Sequence, residues 1–321
     1  MTTATEFSAR AERYRPELVA HCYRILGSIH DAQDVVQETY LRAWRGIDRF
    51  EERSSLRRWL YTIATRASLS AAGTRGRRPL PSGLAGPHDD HRVAVGETDP
   101  TVPWLQPAPD GLLGGDPAAV VAGRAGIRLA FVAALQLLPA RQRAVLALRD
   151  VLGFSTAETA EVLDTTVDAV DSALRRARSR LADAAPDPEA LVEPDDEGLR
   201  DLLDRYVDAF ARADPAALVG VLRADVELEM PPTPTWFTGR DAVVGFLGRR
   251  VLRRAGVWHL EPTRANGQPA LTVSRHDGGD RPYGVQVLTV IGGRVGRITS
   301  FNDPTLVPLF APVGPRGSRG R

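Results

Sequence analysis

The stretch DAQDVVQETYLRAWR, residues 31–45, constrains the fold most, because it carries two stripes of side chains at helical spacing. The first stripe is apolar and recurs at i, i+3 and i+4, which predicts the buried face of an amphipathic helix. Its members are Ala32, Val35, Val36, Tyr40, Ala43 and Trp44. The second stripe consists of Asp34, Gln37, Glu38 and Leu41. A leucine within an acidic, amide-bearing face suits docking onto a basic protein. A solvated helix face with one stray leucine is the alternative.

The rest of the chain divides by its pattern into helical segments, two linkers and a final mixed segment. Helical periodicity runs from residue 6 to 78 and resumes at 127, where a short turn at Asp164 and Thr165 separates two helices in a helix-turn-helix pattern. Helices followed by alternating strands after Gly198 predict an α+β domain. The predicted boundaries are 1–80 for the first helical domain, 81–126 for a mobile linker, 127–184 for the helix-turn-helix domain, 185–197 for an acidic linker, 198–312 for the α+β domain and 313–321 for a disordered tail.

Composition excludes several chemistries. The chain has 41 basic and 40 acidic residues, and every basic residue is arginine, so Schiff-base and P-loop lysine chemistry are excluded. Cys22 is the single cysteine, which rules out internal disulfides and a cysteine metal cage. We see neither a signal peptide nor an apolar run of membrane length, and we therefore expect a cytoplasmic protein without membrane contact, cofactor or metal.

A basic segment after the first linker-like loop indicates nucleic-acid binding. Residues 54–78 contain six arginines and no acidic residue. Arg57, Arg58 and Arg66 can neutralise phosphates, while Trp59 and Tyr61 offer flat faces for stacking an unpaired base. Trp59 also lies on an apolar stripe and fits a core position, whereas we expect Tyr61 to be exposed.

The amino-acid sequences of these segments resemble those of a known family. DAQDVVQETYLRAW resembles the helix by which bacterial sigma factors of the extracytoplasmic-function (ECF) group bind the RNA polymerase core, which implies that Asp34, Gln37, Glu38 and Leu41 contact the clamp helices of its largest subunit. The resemblance also implies that the loop from Arg49 to Ser55 holds flipped bases of the minus-ten element, flanked by the arginines named above. The helix ending ASLSAAG departs from relatives, which predicts either an early stop at Gly73 or an altered promoter preference.

The helix-turn-helix segment resembles the fourth region of sigma factors from Leu138 to Leu181, which implies contact with the minus-thirty-five element. The base-facing positions would be Thr165, Thr166, Asp168, Ala169 and Ser172, and the phosphate-facing ones Arg175, Arg176 and Arg178. Asp171 stands where relatives often have Asn, a difference at a position that bears on base readout. Protein contact alone is the other interpretation of such a unit.

The remaining chain resembles sigma factors with an extra C-terminal domain. Trp104-Leu105-Gln106-Pro107 resembles their linker motif, and we expect it to dock onto that domain or to extend toward the polymerase. Residues 198–312 resemble the SnoaL-like, ketosteroid-isomerase-like cone, a curved sheet that encloses a pocket. The residues that would line the pocket are Tyr206, Trp236, Phe237, His259 and Asn302, with Asp303 as a further candidate base.

We therefore predict a multidomain protein with two all-α sigma domains followed by an α+β SnoaL-like cone. It would bind RNA polymerase core and promoter DNA without covalent chemistry, and the C-terminal domain would regulate it through a small-molecule ligand or an intramolecular contact. The alternatives are a SnoaL-like small-molecule-binding domain or enzyme fused to a DNA-binding regulator, and an ordinary regulator that binds duplex DNA without polymerase.

Overall fold

The computed structural model describes residues 4–47, 55–114, 128–182 and 196–310. They form two compact units, one built from the described residues within 1–80 and 100–188 and the other from the described residues within 81–99 and 189–321. The named secondary-structure elements in the described part of the first unit are all helices, and the second unit contains a six-stranded sheet. The predicted class, two helical domains followed by an α+β domain, is confirmed. In the described residues, the helices are too short or too polar to cross a lipid bilayer.

The helices of the first unit begin and end at residues suited to those positions. They are α1 Ala4–Glu12, α2 Arg15–Leu26, α3 Ile29–Arg45, α4 Leu56–Arg75, α5 Leu129–Leu135, α6 Ala140–Leu146, α7 Thr156–Leu163 and α8 Val167–Ala182. Gly27 ends α2 in the left-handed region at φ 69°, a conformation that favours glycine. Ser28 caps α3 by accepting from the amide of Asp31, and Ser55 caps α4. The predicted stop at Gly73 is wrong, because α4 continues through it to Arg75.

The helix-turn-helix is built as its sequence predicts. Ser155 and Glu158 form a reciprocal capping box at the start of α7. Asp164 then takes the left-handed conformation at φ 49°, which turns the chain sharply before α8. The hydroxyl of Thr166 accepts from the amide of Ala169 and so satisfies a free donor at the start of α8.

The Trp104-Leu105-Gln106-Pro107 segment contacts the first helical domain, which differs from both expectations, docking on the C-terminal domain or extending toward the polymerase. Leu105 is fully buried, and its backbone amide donates to the carbonyl of Pro79 at 3.1 Å. The amide of Gln106 donates to the carbonyl of Gly27, and its side-chain oxygen accepts from the hydroxyl of Ser28 at 2.7 Å. The segment therefore closes over the turn between α2 and α3, where glycine and serine leave room and hydrogen-bonding groups.

The second unit packs two helices against one face of its sheet. The strands follow the order β2-β1-β6-β5-β4-β3, and only the β1–β6 pair is parallel. The elements are α9 Asp196–Arg212, β1 Leu222–Glu229, β2 Trp236–Thr238, α10 Arg240–Phe246, β3 Trp258–Ala265, β4 Gln268–Arg275, β5 Arg281–Ile291, β6 Arg294–Phe301 and α11 Val307–Phe310. A π-helical turn, Leu247–Val251, extends α10. One apolar core joins α9 and α10 to the strand residues of the same face, including Leu228, Leu260 and Leu288.

Part of the predicted first linker belongs to this second unit. Residues 81–99 lie with the sheet, which differs from the single mobile linker predicted over 81–126. His88 forms a parallel bridge with Phe237, and the indole nitrogen of Trp236 donates to the carbonyl of Ala85 at 2.8 Å. The amide of Gly96 donates to the hydroxyl of Thr235 at 2.7 Å. The chain thus leaves the helical unit after Leu80, runs along the sheet, and returns at Pro100. We call residues 81–99 the strap.

Candidate protein-docking ridge and nucleic-acid interface

The second stripe of α3 is a solvent-exposed ridge. Asp34, Gln37, Glu38 and Leu41, the acidic ridge, are all exposed, and 57% of Leu41 is accessible. Glu38 accepts from Arg42 at 2.6 Å, one turn further along the helix. An aliphatic side chain held in water between carboxylates and an amide can contribute apolar area to a partner while its neighbours select a basic surface.

The opposite face of α3 is buried with two corrections at its C-terminal half. Tyr40 is only half-buried and donates its hydroxyl to the carbonyl of Ala11 at 3.1 Å. Trp44 is 38% exposed and lies 5.9 Å from Phe7 between ring centres. Thr39, which the apolar pattern omitted, is buried because its hydroxyl donates to the carbonyl of Val35 within the helix.

Arg57 and Tyr61 form an internal cluster with Glu17. The Arg57 guanidinium contacts the Glu17 carboxylate at 2.7 and 2.9 Å and lies over the Tyr61 ring. Tyr61 is fully buried, so its predicted exposure is wrong. Its hydroxyl donates to Glu17 at 3.1 Å, and burial followed by the Glu17 charge raises the pKa of the phenol. Trp59 is half-buried near Gly46.

The two other arginines predicted to contact DNA are held by the helix-turn-helix. Arg58 contacts the carboxylates of Glu158 and Glu161 at 3.2 and 2.5 Å. Arg66 donates to the backbone carbonyls of Val162 and Glu161 at 2.9 and 3.1 Å. Both partners lie on α7 and its last turn, so carboxylates and helix-end carbonyls occupy positions at which phosphates could bind these arginines.

A further aromatic contact joins the same surfaces. Phe154, in the loop before α7, packs edge-to-face against Tyr61 with ring centres 5.7 Å apart. On the other side of Tyr61, the ring of His21 lies 5.2 Å away. Arg143 of α6 donates to the carbonyl of Ile25 at 2.5 Å. The two helical domains therefore share a packed, hydrogen-bonded interface within the first unit.

Two further arginines of the basic segment 54–78 form ion pairs within the helical unit. Asp31 accepts ion pairs from Arg75 and Arg78 at 2.6 and 2.5 Å, which neutralises part of the basic run. The loop that the resemblance assigns to flipped bases, Arg49 to Ser55, lies outside the described residues except for Ser55.

The outer face of α8 presents the predicted promoter-reading side chains. Thr166, Asp168, Ala169, Arg175 and Arg176 are exposed, and Thr165 and Ser172 are partly exposed. Arg178 is also exposed, but its guanidinium is held by Asp150 at 2.6 and 3.0 Å. Asp171 is exposed on the same helix.

A recess beside this helix was not evident from the sequence. A cavity of about 230 Å³ opens between the start of α6 and the first half of α8. Its lining includes Arg141, Val145, Leu163, Thr165, Ala173 and Arg176. Arg141 donates to the carbonyl of Leu163 at 2.9 Å, which satisfies the end of α7. The small residues of α8 at this point leave the space open.

The five residues predicted to line a pocket in the cone do not converge on one site. Tyr206 and Phe237 are fully buried in the core, and the Tyr206 hydroxyl donates to the side-chain oxygen of Gln286 at 3.0 Å. Trp236 binds the strap. Asn302 follows β6, where its amide donates to the carbonyl of Pro231 and its side chain accepts from Ser300. Tyr206 and Phe237 therefore lie in the packed core, and their place in a pocket wall stays a prediction.

His259 lies on the wrong side of its strand for a pocket residue. It is exposed and contacts Glu261 at 3.3 Å, whereas its neighbour Leu260 enters the core. Adjacent strand residues point to opposite faces, so the core position of Leu260 fixes the outward position of His259. Asp303 accepts from the amide and hydroxyl of Thr305 in the following turn.

A buried carboxylate in the same domain was missed. Glu229, at the end of β1, is fully buried, and burial raises its pKa while Arg297 opposes the shift. Arg297 also donates to Glu227 at 2.6 Å, and the amide of Ser82 in the strap lies 3.5 Å from Glu229. The alternation Val226, Glu227, Leu228, Glu229 places both acids on the face opposite the helices. Among the described residues, no cluster of three or more His, Cys, Asp or Glu side chains is arranged to hold a metal.

Comparison with known proteins places these features in a family. The Sigma-70 region 2 model matches residues 11–78, the Sigma-70 region 4 model matches 128–181, and the SnoaL-like domain model matches 203–301. The chain is 44% identical over 309 residues to the ECF RNA polymerase sigma factor SigG of Mycobacterium tuberculosis, covering 95% of this chain and 83% of the relative. It is 30% identical over 244 residues to the sigma factor SigJ of the same species, covering 74% of this chain and 70% of the relative.

A solved structure shares the whole architecture. The crystal structure of Mycobacterium tuberculosis SigJ matches with a TM-score of 0.60 at 24% identity and covers 94% of this chain and 99% of that one. At this identity the match concerns the fold, and it includes the C-terminal sheet domain as well as the helical domains.

Proposed function

The chain belongs to the ECF sigma factors of bacterial RNA polymerase, which direct transcription initiation, and we propose how its surfaces divide that work. The acidic ridge binds the polymerase core. The outer face of α8 binds the upstream promoter element, and α4 with the loop before it binds the downstream one. The C-terminal domain regulates these steps through the strap. We therefore expect the protein to act in the cytoplasm, where bacterial RNA polymerase works.

Exposure of the acidic ridge carries the core-binding proposal. A helix whose only partner was its own domain would gain nothing from a leucine that is more than half accessible between Asp34, Gln37 and Glu38. The opposite face of α3 already supplies the apolar contacts that fold the domain. The ridge is therefore free to bind a basic, partly apolar surface of a partner.

Promoter binding by α4 requires a rearrangement of the helical unit. Arg58 and Arg66 contact α7 in this structure, so they can reach phosphates only after α7 moves away. Arg57 acts as a positioning residue, because its pairing with Glu17 fixes the start of α4. Trp59 and Tyr61 support that helix, and Tyr61 would contribute a stacking face only if the same movement uncovered it.

The regulatory proposal follows from the path of the chain through the C-terminal domain. The covalent connection between the two helical domains includes the strap, which the sheet holds through Trp236, Thr235 and Phe237. A change in that domain that releases or tightens the strap would alter the connection. We propose no catalytic role, because His259 is exposed and Tyr206 is engaged with Gln286 inside a packed core.

Promoter-dependent run-off transcription with purified core polymerase tests the assignment of the ridge. The double variant Asp34→Arg/Glu38→Arg should lose core binding and transcription. Its matched control, Asp204→Arg/Asp208→Arg on α9, reverses two exposed acids at the same spacing, and Asp208 pairs with Arg212 as Glu38 pairs with Arg42. Intact core binding by the ridge variant would show that the ridge is not the docking surface.

The regulatory part is tested with the full chain, a chain ending at Arg180, and Thr235→Val/Trp236→Phe, which removes two side-chain hydrogen bonds to the strap. We expect the truncated chain to differ in activity from the full chain, and the strap variant to change activity in the same direction. Equal activity of the three proteins would refute regulation through the strap.

A further inference from the structure

A cluster of exposed arginines lies on the C-terminal domain at the end of α10. Arg249, Arg250, Arg253 and Arg254, the arginine cluster, are all exposed. Between the two pairs, Leu252 is buried in the core at 4% exposure and Val251 packs against it. The apolar pair thereby anchors a segment whose charged side chains face water.

The backbone of this segment is well supported. The amide of Leu252 donates to the carbonyl of Leu247 at 2.7 Å, and the indole nitrogen of Trp258 donates to the carbonyl of Val251 at 2.9 Å. A little further on, the amide of Gly256 donates to the carbonyl of Ala211 at the end of α9. The four guanidinium groups are thus presented from a fixed backbone, which lowers the entropy lost when they bind.

The cluster carries uncompensated charge. Within the part of the chain that the structure describes, none of its four side chains forms an ion pair or a side-chain hydrogen bond. Some other arginines of the same domain do, namely Arg212 with Asp208, Arg223 with Asp225 and Arg297 with Glu227. Outside the cluster, acidic residues outnumber arginines in residues 196–310. The arginine cluster is therefore a locally positive surface on a domain whose other charged residues are predominantly acidic, and such a surface attracts a polyanion.

The chemistry around the cluster favours a phosphate backbone over a protein surface. From Leu247 to Gly256, no large apolar side chain is exposed, since Leu247 and Leu252 are buried and Val251 is partly buried. Protein interfaces generally bury apolar and aromatic residues at their centre. Contacts with nucleic-acid phosphates need only positive donors such as guanidinium groups.

We propose that the arginine cluster binds the phosphates of duplex DNA outside the elements contacted by the helical domains, without sequence preference. This inference rests on the proposed function, because it requires the chain to be bound at a promoter. The short segment 183–195 connects the C-terminal domain to the helix-turn-helix domain, which tethers the arginine cluster to a DNA-binding unit. The extra domain then adds affinity that falls with salt, while the helical domains choose the site.

The test uses holoenzyme assembled from core polymerase and the full chain, with a fluorescently labelled duplex of random sequence as the probe. The variant replaces all four arginines of the cluster by Gln, and a matched control replaces Arg200, Arg205, Arg223 and Arg294 by Gln elsewhere on the domain. Each phosphate contact adds about 0.9 to the magnitude of the negative slope of log K, the logarithm of the association constant, against log salt concentration. The loss of two to four contacts should therefore make the slope shallower by about 2 to 4. The control should keep the wild-type slope.

Replacing the same four arginines by Lys separates charge from shape, since charge alone should preserve the slope. Thermal unfolding of each variant at the wild-type midpoint excludes misfolding. An unchanged slope in a folded Gln variant would overturn the proposal.

A second measurement identifies the partner directly. In a promoter complex formed with the variant Arg250→p-benzoylphenylalanine, irradiation should crosslink the chain to DNA. The crosslinked species should disappear when it is digested with a nuclease that cleaves duplex DNA. An adduct with a polymerase subunit or with the transcript would overturn the proposal. Run-off transcription on the same template distinguishes the two levels: a wild-type holoenzyme that fails to initiate refutes the sigma function, whereas normal initiation without a DNA adduct refutes only the role of the cluster.

Discussion

Leu41 offers the sharpest test of the acidic ridge, because its side chain can be removed without touching the core. We consider Leu41→Gln, since leucine and glutamine have similar helix propensity and the exposed position needs no repacking. Full burial of a leucine contributes about 1.5–3 kcal/mol. Leu41 is 57% exposed in the free chain, so covering this exposed part of the side chain on docking should contribute about 0.9–1.7 kcal/mol to the binding free energy.

That free energy corresponds to an increase of roughly 5- to 20-fold in the dissociation constant for core polymerase. The measurement is fluorescence anisotropy of the chain, labelled at its N terminus and titrated with core. The free energy of unfolding, measured by urea denaturation, should change by less than about 0.5 kcal/mol, as is usual for an exposed position. Affinity should therefore fall while stability stays.

Leu137→Gln is the matched control, since Leu137 is also an exposed leucine of the helical unit, at 47%. It lies between α5 and α6, away from α3 in the sequence, and should leave core affinity unchanged. If Leu41→Gln bound core as tightly as the wild type, or if Leu137→Gln weakened binding equally, the argument from exposure would fail.

Three further predictions concern the helical unit. Glu161→Gln removes the ion pair with Arg58, which contributes less than about 1 kcal/mol because Glu161 is largely exposed. The affinity of the free chain for a labelled single-stranded minus-ten oligonucleotide should therefore rise, but by no more than roughly fivefold. Unchanged or weaker binding would contradict this prediction. Burial, followed by the charge of Arg24, lowers the pKa of His21 to about 3, so on acidification the unfolded chain binds this proton before the folded chain does. The free energy of unfolding should therefore fall by up to about 1.4 kcal/mol per pH unit from pH 6.5 toward pH 3. His21→Gln should flatten that part of the urea-unfolding profile, and an identical profile would argue against it. Burial raises the pKa of the Cys22 thiol to about 12, so a thiol reagent such as Ellman's should react only as fast as the chain unfolds, and rapid labelling of the native protein would refute its burial.

The sequence predicted the helical framework well, because helical periodicity and capping are local. The apolar stripe of α3 and the exposed ridge beside it follow from spacing alone. Its errors come from long-range contacts: Tyr61 lies off the apolar stripe of α4, yet Glu17 and Phe154 bury it. No pattern within α4 could reveal that a loop from the next domain covers this ring.

The C-terminal domain shows a second limit. Alternation predicted a strand from Trp258 onward, but the choice of inward residues depends on which neighbour enters the core. Leu260 does, so His259 faces outward and the predicted pocket loses its base. Glu229 was missed for the same reason. The pattern of a strand predicts that a charged residue at its end is exposed to solvent, but the strap, a segment distant in sequence, covers Glu229.

The ordered path of the strap along the sheet is the feature that composition predicted least well. Its proline- and glycine-rich sequence predicts a mobile linker, and such sequences form few contacts of their own. Here the partners come from elsewhere: Trp236 and Thr235 supply hydrogen-bonding side chains, and β2 supplies free backbone groups at a sheet edge. An edge strand with unpaired amides and carbonyls accepts any extended segment that reaches it. A linker with little structure of its own can therefore be ordered by the domain it passes, and because that ordering costs backbone entropy, it can be reversed by modest changes in the contacts that hold it.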